Sequence, residues 1–140
     1  MIQGDTSLDT SVVLRLLVAE PADQYQSAKE FLQQRLTAET RVHVSELVLA
    51  EAYFALQSFY GLPKQDAIDA LSLFISHSGV TASLSATAIL AQPNLAAGKP
   101  GFVDRLIHGI SSTSGQTLVT FEKAAKKLPA THVLSGVRNP

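Results

Sequence analysis

The chain contains no cysteine in 140 residues. That excludes a disulfide framework and any thiolate-ligated metal site, and it fits a reducing, cytoplasmic setting. Long hydrophobic runs are missing too. No stretch approaches the roughly 18–20 continuous apolar residues of a membrane span, so no membrane association is expected. The opening MIQGDTSLDTS has neither a basic n-region nor an apolar h-region, and it does not read as a secretory signal. Charge of one sign is not in excess. The net charge is −1, which gives no global pull toward nucleic acid, so any such contact must come from a local basic patch. There is no internal repeat, low-complexity tract or linker. What is present is 46% apolar, ordinary for a globular protein, in a chain long enough to close a core without staples. The expected organisation is one domain over residues 1–140.

Turn signals cut the sequence into short apolar runs alternating with helical patterns. Ser7–Asp9 ends a first strand, and Thr10–Val18 is a helix stopped by Pro21. Ala22–Leu36 repeats apolar residues at helical spacing, and Arg41–Val44 is a second strand. Ser45 caps a helix running to about Tyr60, where Gly61 ends it. Pro63 opens another helix that runs to about Ser76. Val80–Ala82 is a weak strand, followed by a helix from Ser83 to Ala91. After the Gly98–Gly101 loop come a helix over Phe102–Ser114, a strand over Thr117–Thr120, a short helix over Glu122–Leu128 and a last strand near His132–Leu134. This alternation argues for a three-layer α/β domain, with a mostly parallel central sheet of about four to five strands flanked by helices. Ligands of such sheets bind beyond the carboxyl ends of the strands. Asp9 and Glu122 both lie just past such ends.

Four acidic residues stand where the apolar pattern should exclude them: Asp9, Glu51, Asp104 and Glu122. Asp9 precedes a helix and could equally be its N-cap. Glu51 has Leu47, Val48, Phe54 and Ala55 as helical neighbours, while Glu46, Tyr53 and Gln57 read as the polar stripe. Glu51 is therefore expected on the core face or its border, either in a buried pair with a cation or at a site. Asp104 and Glu122 open helices, where the dipole alone favours an acid. The argument is their convergence. Two carboxylates about 4 Å apart repel by about 4 kcal/mol at an effective dielectric of 20. Several together stay ionised only beside a cation, and oxygen-only ligands select a hard one, Mg²⁺ or Mn²⁺.

The residues around these acids resemble the PIN-domain nucleases, most closely the VapC-type toxins of toxin–antitoxin pairs. Leu8 to Glu20 (LDTSVVLRLLVAE) looks like the family's opening motif, with its metal-binding Asp at Asp9 and its following Ser or Asn at Ser11. Ser45 to Leu56 (SELVLAEAYFAL) looks like the second, whose Glu falls on Glu51. Gly101 to Gly115 (GFVDRLIHGISSTSG) looks like the third, whose Asp falls on Asp104. Thr117 to Leu128 (TLVTFEKAAKKL) looks like the fourth, with Glu122 in place of the usual Asp. The ordered set spans nearly the whole chain. Two features depart from the pattern: Glu122 is one methylene longer than Asp, and Arg105 and His108 stand where the family usually has small or apolar residues.

The resemblance implies a metal-dependent endoribonuclease that leaves a 3′-hydroxyl and a 5′-phosphate. It implies Asp9, Asp104 and Glu122 as Mg²⁺ or Mn²⁺ ligands, Glu51 as a ligand or water-orienting residue, and Ser11 and Thr120 as supporting hydroxyls. It also implies a homodimer held inactive by an antitoxin protein. RNA contact would fall to Arg15, Arg105, Lys123, Lys126 and Lys127; the three lysines read as one helix face. The second reading is a PIN-like scaffold of weakened or lost activity that binds protein or RNA. A haloacid-dehalogenase-type phosphatase is disfavoured because Asp9-Thr10-Ser11 lacks a second Asp. A zinc enzyme is disfavoured because His43, His77, His108 and His132 are scattered.

Overall fold

The computed structural model describes residues 2–136. Within them the element order is β1 (Thr6–Ser7), α1 (Thr10–Val18), α2 (Ala22–Thr37), β2 (Val42–His43), α3 (Glu46–Ser58), α4 (Lys64–Ile75), β3 (Val80–Thr81), α5 (Leu84–Leu90), α6 (Phe102–Thr113), β4 (Leu118–Thr120) and β5 (Thr131–Val133). Short 3-10 turns cover Leu95–Ala97 and Lys123–Lys127. The alternating α/β architecture read from the sequence holds, and every described strand pair is parallel. The strands join as β1-β2-β3 and, separately, β4-β5, rather than as one continuous ladder. Strands of two or three residues make few ladder bonds each, and an apolar run of that length carries no information about which edge it joins.

Local chemistry explains most boundaries. Asp9 caps α1 and Ser45 caps α3, the Ser45 hydroxyl accepting from the Val48 N–H at 3.3 Å. Ser83 does the same for α5 through the Ala86 N–H at 3.1 Å. α4 starts after Pro63, whose missing N–H is no loss there. The core gathers around Val13, Val42, Val44, Leu49, Leu71 and Phe102, all almost fully buried. Each such side chain contributes about 1.5–3 kcal/mol of burial.

One buried charge supports this frame. Arg35 on α2 is 9% exposed. It donates to the carbonyls of Ile2 at 2.9 Å and Gly4 at 2.7 Å, and to Thr40 Oγ1 at 3.1 Å. The guanidinium thereby ties the segment leading into β1 to α2, and Asp5 accepts from the Arg41 N–H at 2.8 Å beside it. β1 has only two residues, so these side-chain ties help hold it against β2 and set where Asp9 emerges. Among the described residues, no helix is long and apolar enough to cross a membrane.

Candidate functional site

Asp9 follows β1 by two residues and turns the chain into α1. Its Oδ1 accepts from the Ser11 hydroxyl, from the Ser11 N–H at 2.8 Å and from the Val12 N–H at 3.4 Å. The Ser11 hydroxyl, then the Ser11 and Val12 amides, hold the Asp9 carboxyl below its usual range. Oδ2 accepts none of these bonds. The cap and an outward-facing carboxylate oxygen thus coexist in one side chain.

Glu51 meets this corner. Its Oε1 accepts from the Thr10 hydroxyl at 2.9 Å, linking α3 to the first residue of α1. The expected core-facing Glu51 is corrected: the side chain is exposed, as are Asp9, Asp104 and Glu122. Helix α3 is rotated from the sequence expectation. Tyr53, read as polar, is only 6% exposed, while Leu47 is 70% and Phe54 56% exposed. The reason is that α3 is apolar nearly all round, so periodicity could not fix its rotation. The fit of Tyr53 edge-on to Phe102, with ring centroids 5.0 Å apart, accompanies the rotation that is found.

Asp104 lies in the first turn of α6, two residues past that buried Phe102. Arg105 Nε donates to the Pro100 carbonyl at 2.8 Å, bracing the loop before α6. His108 Nε2 lies 2.7 Å from the Pro129 carbonyl and must donate to it, tying α6 to the turn before β5. Arg105 and His108, which depart from the family pattern, therefore have structural partners. Glu122 follows β4, and its Oε1 accepts from the Ala124 N–H at 3.1 Å. The Glu122 N–H donates to Thr120 Oγ1 at 3.0 Å. Lys123–Lys127 is a 3-10 turn rather than an α-helix. Lys123 and Lys126 share a face, and Lys127 is turned about one third of a revolution away; all three are exposed.

The donor chemistry fits a hard cation. The carboxylates are solvent-facing, and the hydrogen bonds of Asp9, Glu51 and Glu122 engage one oxygen of each. Mg²⁺ needs only one or two carboxylates and keeps several waters. The four acids do not close into a cage: among the described residues, no three His, Asp or Glu side chains form a metal-binding group. The structure brings Asp9, Thr10, Ser11 and Glu51 together; Asp104 lies on α6, which packs on α3 and on β4, and Glu122 follows β4.

Sequence reading missed Thr10, Gln24 and Ser27. Thr10 carries no signal beyond its place after Asp9. Gln24 and Ser27 lie three apart on the polar side of α2, which alone reads as a solvated face. In the structure they line a cleft of about 410 Å³ with Ser7, Asp9, Ser11 and Arg15. Arg15 Nε donates to Gln24 Oε1 across it.

No curated protein matches the chain. Among solved structures, the chain is similar to one in the crystal structure of VapBC2 from Rickettsia felis bound to a DNA fragment from their promoter. The identity is 19%, the TM-score 0.38, and the match covers 93% of this chain and 97% of that one. The sequence model of the PIN domain matches residues 7–130, a span that contains Asp9, Glu51, Asp104 and Glu122, and the chain therefore belongs to the PIN-domain family.

Proposed function

We propose that this protein is a metal-dependent endoribonuclease of the VapC toxin type. The observation that carries the reading is the corner where Asp9, at the carboxyl end of β1, meets Glu51 through Thr10 within a PIN domain. Asp9 and Asp104 would be the primary ligands of Mg²⁺ or Mn²⁺, Glu122 a further ligand, and Glu51 a ligand or the group that orients the attacking water. When bound, the ion supplies acidification of water and neutralisation of charge at the phosphate.

The chain's own residues do the rest. Ser11 and the amides of α1 fix the Asp9 carboxylate, so that its second oxygen faces solvent without reorganising. Thr10 holds Glu51 through one oxygen and leaves the other to accept a proton or orient water. Thr120 fixes the backbone at Glu122. Lys123, Lys126 and Lys127 are exposed beside Glu122 and free to meet the phosphate backbone of RNA. Arg105 is engaged in bracing its own loop, which weighs against a direct RNA role for its Nε.

A homodimer and an antitoxin partner belong to the same proposal. Leu47 and Phe54 flank Glu51 on its own face of α3, and Phe59 at its end is 84% exposed. Exposed apolar side chains of this size gathered on one helix favour a protein partner.

End-group analysis of cleaved RNA tests the reaction class. Products bearing 5′-phosphate and 3′-hydroxyl ends, formed with Mg²⁺ or Mn²⁺ and not with EDTA, are expected. Products ending in 2′,3′-cyclic phosphate would mean that the 2′-hydroxyl is the nucleophile, and the proposal would fall.

A further inference from the structure

The cleft between α1 and α2 shares Asp9 and Ser11 with the chemistry above, but Arg15, Gln24, Ser27 and Phe31, which also line it, have no part in that chemistry. We propose that it is a base pocket for one guanine of the RNA substrate, read by Gln24 and Arg15. That an RNA should lie here rests on the nuclease reading; which base fits follows from the lining alone.

Size comes first. About 410 Å³ is within the roughly 300–1,000 Å³ typical of small-molecule sites. Leu8, Val12 and Phe31 give the cleft an apolar floor on which the face of a base can rest. Phe31 is partly exposed, so its ring is available for stacking.

Polarity decides the base. A guanidinium only donates hydrogen bonds, so Arg15 Nε must face the amide oxygen of Gln24. That pairing turns the Gln24 amide nitrogen, with its two N–H groups, away from Arg15. The terminal nitrogens of Arg15 are donors as well. The pair therefore leaves the Gln24 amide N–H groups and the terminal N–H groups of Arg15 as donors, while its one acceptor, Gln24 Oε1, is already engaged by Arg15. Guanine offers two neighbouring acceptors, N7 and O6, with no donor between them. Adenine places an amino donor beside N7, and the N3–H of uracil separates its carbonyls; cytosine also presents neighbouring acceptors, N3 and O2, but its single ring covers less of the apolar floor than a purine does. Ser27, one turn along α2 from Gln24, can serve as either donor or acceptor at the cleft wall. The Asp9 carboxylate disfavours a phosphate inside the cleft, whereas an uncharged base enters without that cost and leaves the phosphate of a nucleotide in solvent.

The probes are the four nucleoside 5′-monophosphates, titrated into the whole protein without added metal. The readout is the NMR signals of the Gln24 side-chain amide and the Arg15 Nε–H. 5′-GMP is expected to shift both, with affinity roughly tenfold or more above that of AMP and UMP, and above that of CMP through its larger stacking face. In Gln24→Ala the GMP preference should disappear. Gln24→Glu replaces the amide donors by acceptors and should move preference from GMP toward AMP, whose N6 amino donor stands beside N7. Gln24 is exposed, so neither variant is expected to disturb the fold. Absence of the shifts, equal shifts from all four nucleotides, or a GMP preference that survives Gln24→Ala would each overturn the proposal.

A second arm separates this pocket from the nuclease reading. Cleavage of a randomised RNA pool should show a guanine preference at one position near the cut, and that preference should be lost in Gln24→Ala. Cleavage whose base preference ignores Gln24 would keep the nuclease and remove the pocket. GMP binding through Gln24 in a protein that cuts no RNA would keep the pocket and remove the nuclease.

Discussion

Asp9 combines two tasks at one residue, and its titration separates them. Three hydrogen bonds to Oδ1 favour the charged carboxylate in the folded state, with the Ser11 hydroxyl the largest contributor. A group whose folded pKa lies below its unfolded value stabilises the fold above the unfolded pKa. That contribution is lost as pH falls through the folded value. Wild type should therefore lose denaturant stability relative to Asp9→Asn as pH drops through and below the ordinary carboxylate range. Asn keeps a capping oxygen but does not titrate. A stability difference that stays constant with pH would contradict the assignment. Thr10 makes a different prediction. Thr10→Val removes the hydroxyl that holds Glu51 while keeping shape. If this corner binds the cation, Mn²⁺ affinity measured by calorimetry should fall about 10- to 100-fold, as for other residues that orient a ligand. Unchanged affinity would place the cation away from Glu51. At this scale the sequence was informative about which residues are acidic, and where along the chain they stand. It misjudged their surroundings, because an acid among apolar neighbours on an almost wholly apolar helix can face water as readily as the core.

Helix boundaries were the most legible feature, since caps and breakers are local. Asp9, Ser45, Ser83, Pro63 and Gly115 delimit elements within a residue or two of their expected limits. Rotation about a helix axis was less legible. On α3, Tyr53 turns inward against Phe102, and the Glu51 face turns out with Leu47 and Phe54. That choice depends on a partner helix about fifty residues away in sequence, which no local period encodes. The last helix expected, over Glu122–Leu128, is a 3-10 turn, as is common for short segments. Close packing of α5 on α6 gives the test at this scale. A Cβ on Gly109 would come within 2.9 Å of Ser85 Oγ. Gly109→Val should therefore cost about 1–3 kcal/mol in urea unfolding. A variant as stable as wild type would show that the two helices are not in close contact there.

Across the whole molecule, strand–helix alternation foretold a parallel α/β fold, and the carboxyl-end rule located Asp9 and Glu122 past β1 and β4. The frame that positions them was hidden. Arg35 reads as one more charge on a polar helix, yet it is buried and anchors the chain ahead of β1 through the Ile2 and Gly4 carbonyls. The division of the strands into two ladders was hidden as well, because strands of two or three residues carry no signal for the edge they join. The proposed activity depends on acids delivered by four different stretches of chain, so its most direct test removes one of them without changing its size. Structured and single-stranded RNAs would be incubated with wild type and with Asp104→Asn, in Mg²⁺, Mn²⁺ or EDTA, with folding of both proteins verified by circular dichroism. Cleavage by wild type only in the presence of metal, and none by Asp104→Asn, is the predicted result. Equal cleavage by a well-folded Asp104→Asn, or cleavage that persists in EDTA, would contradict the account.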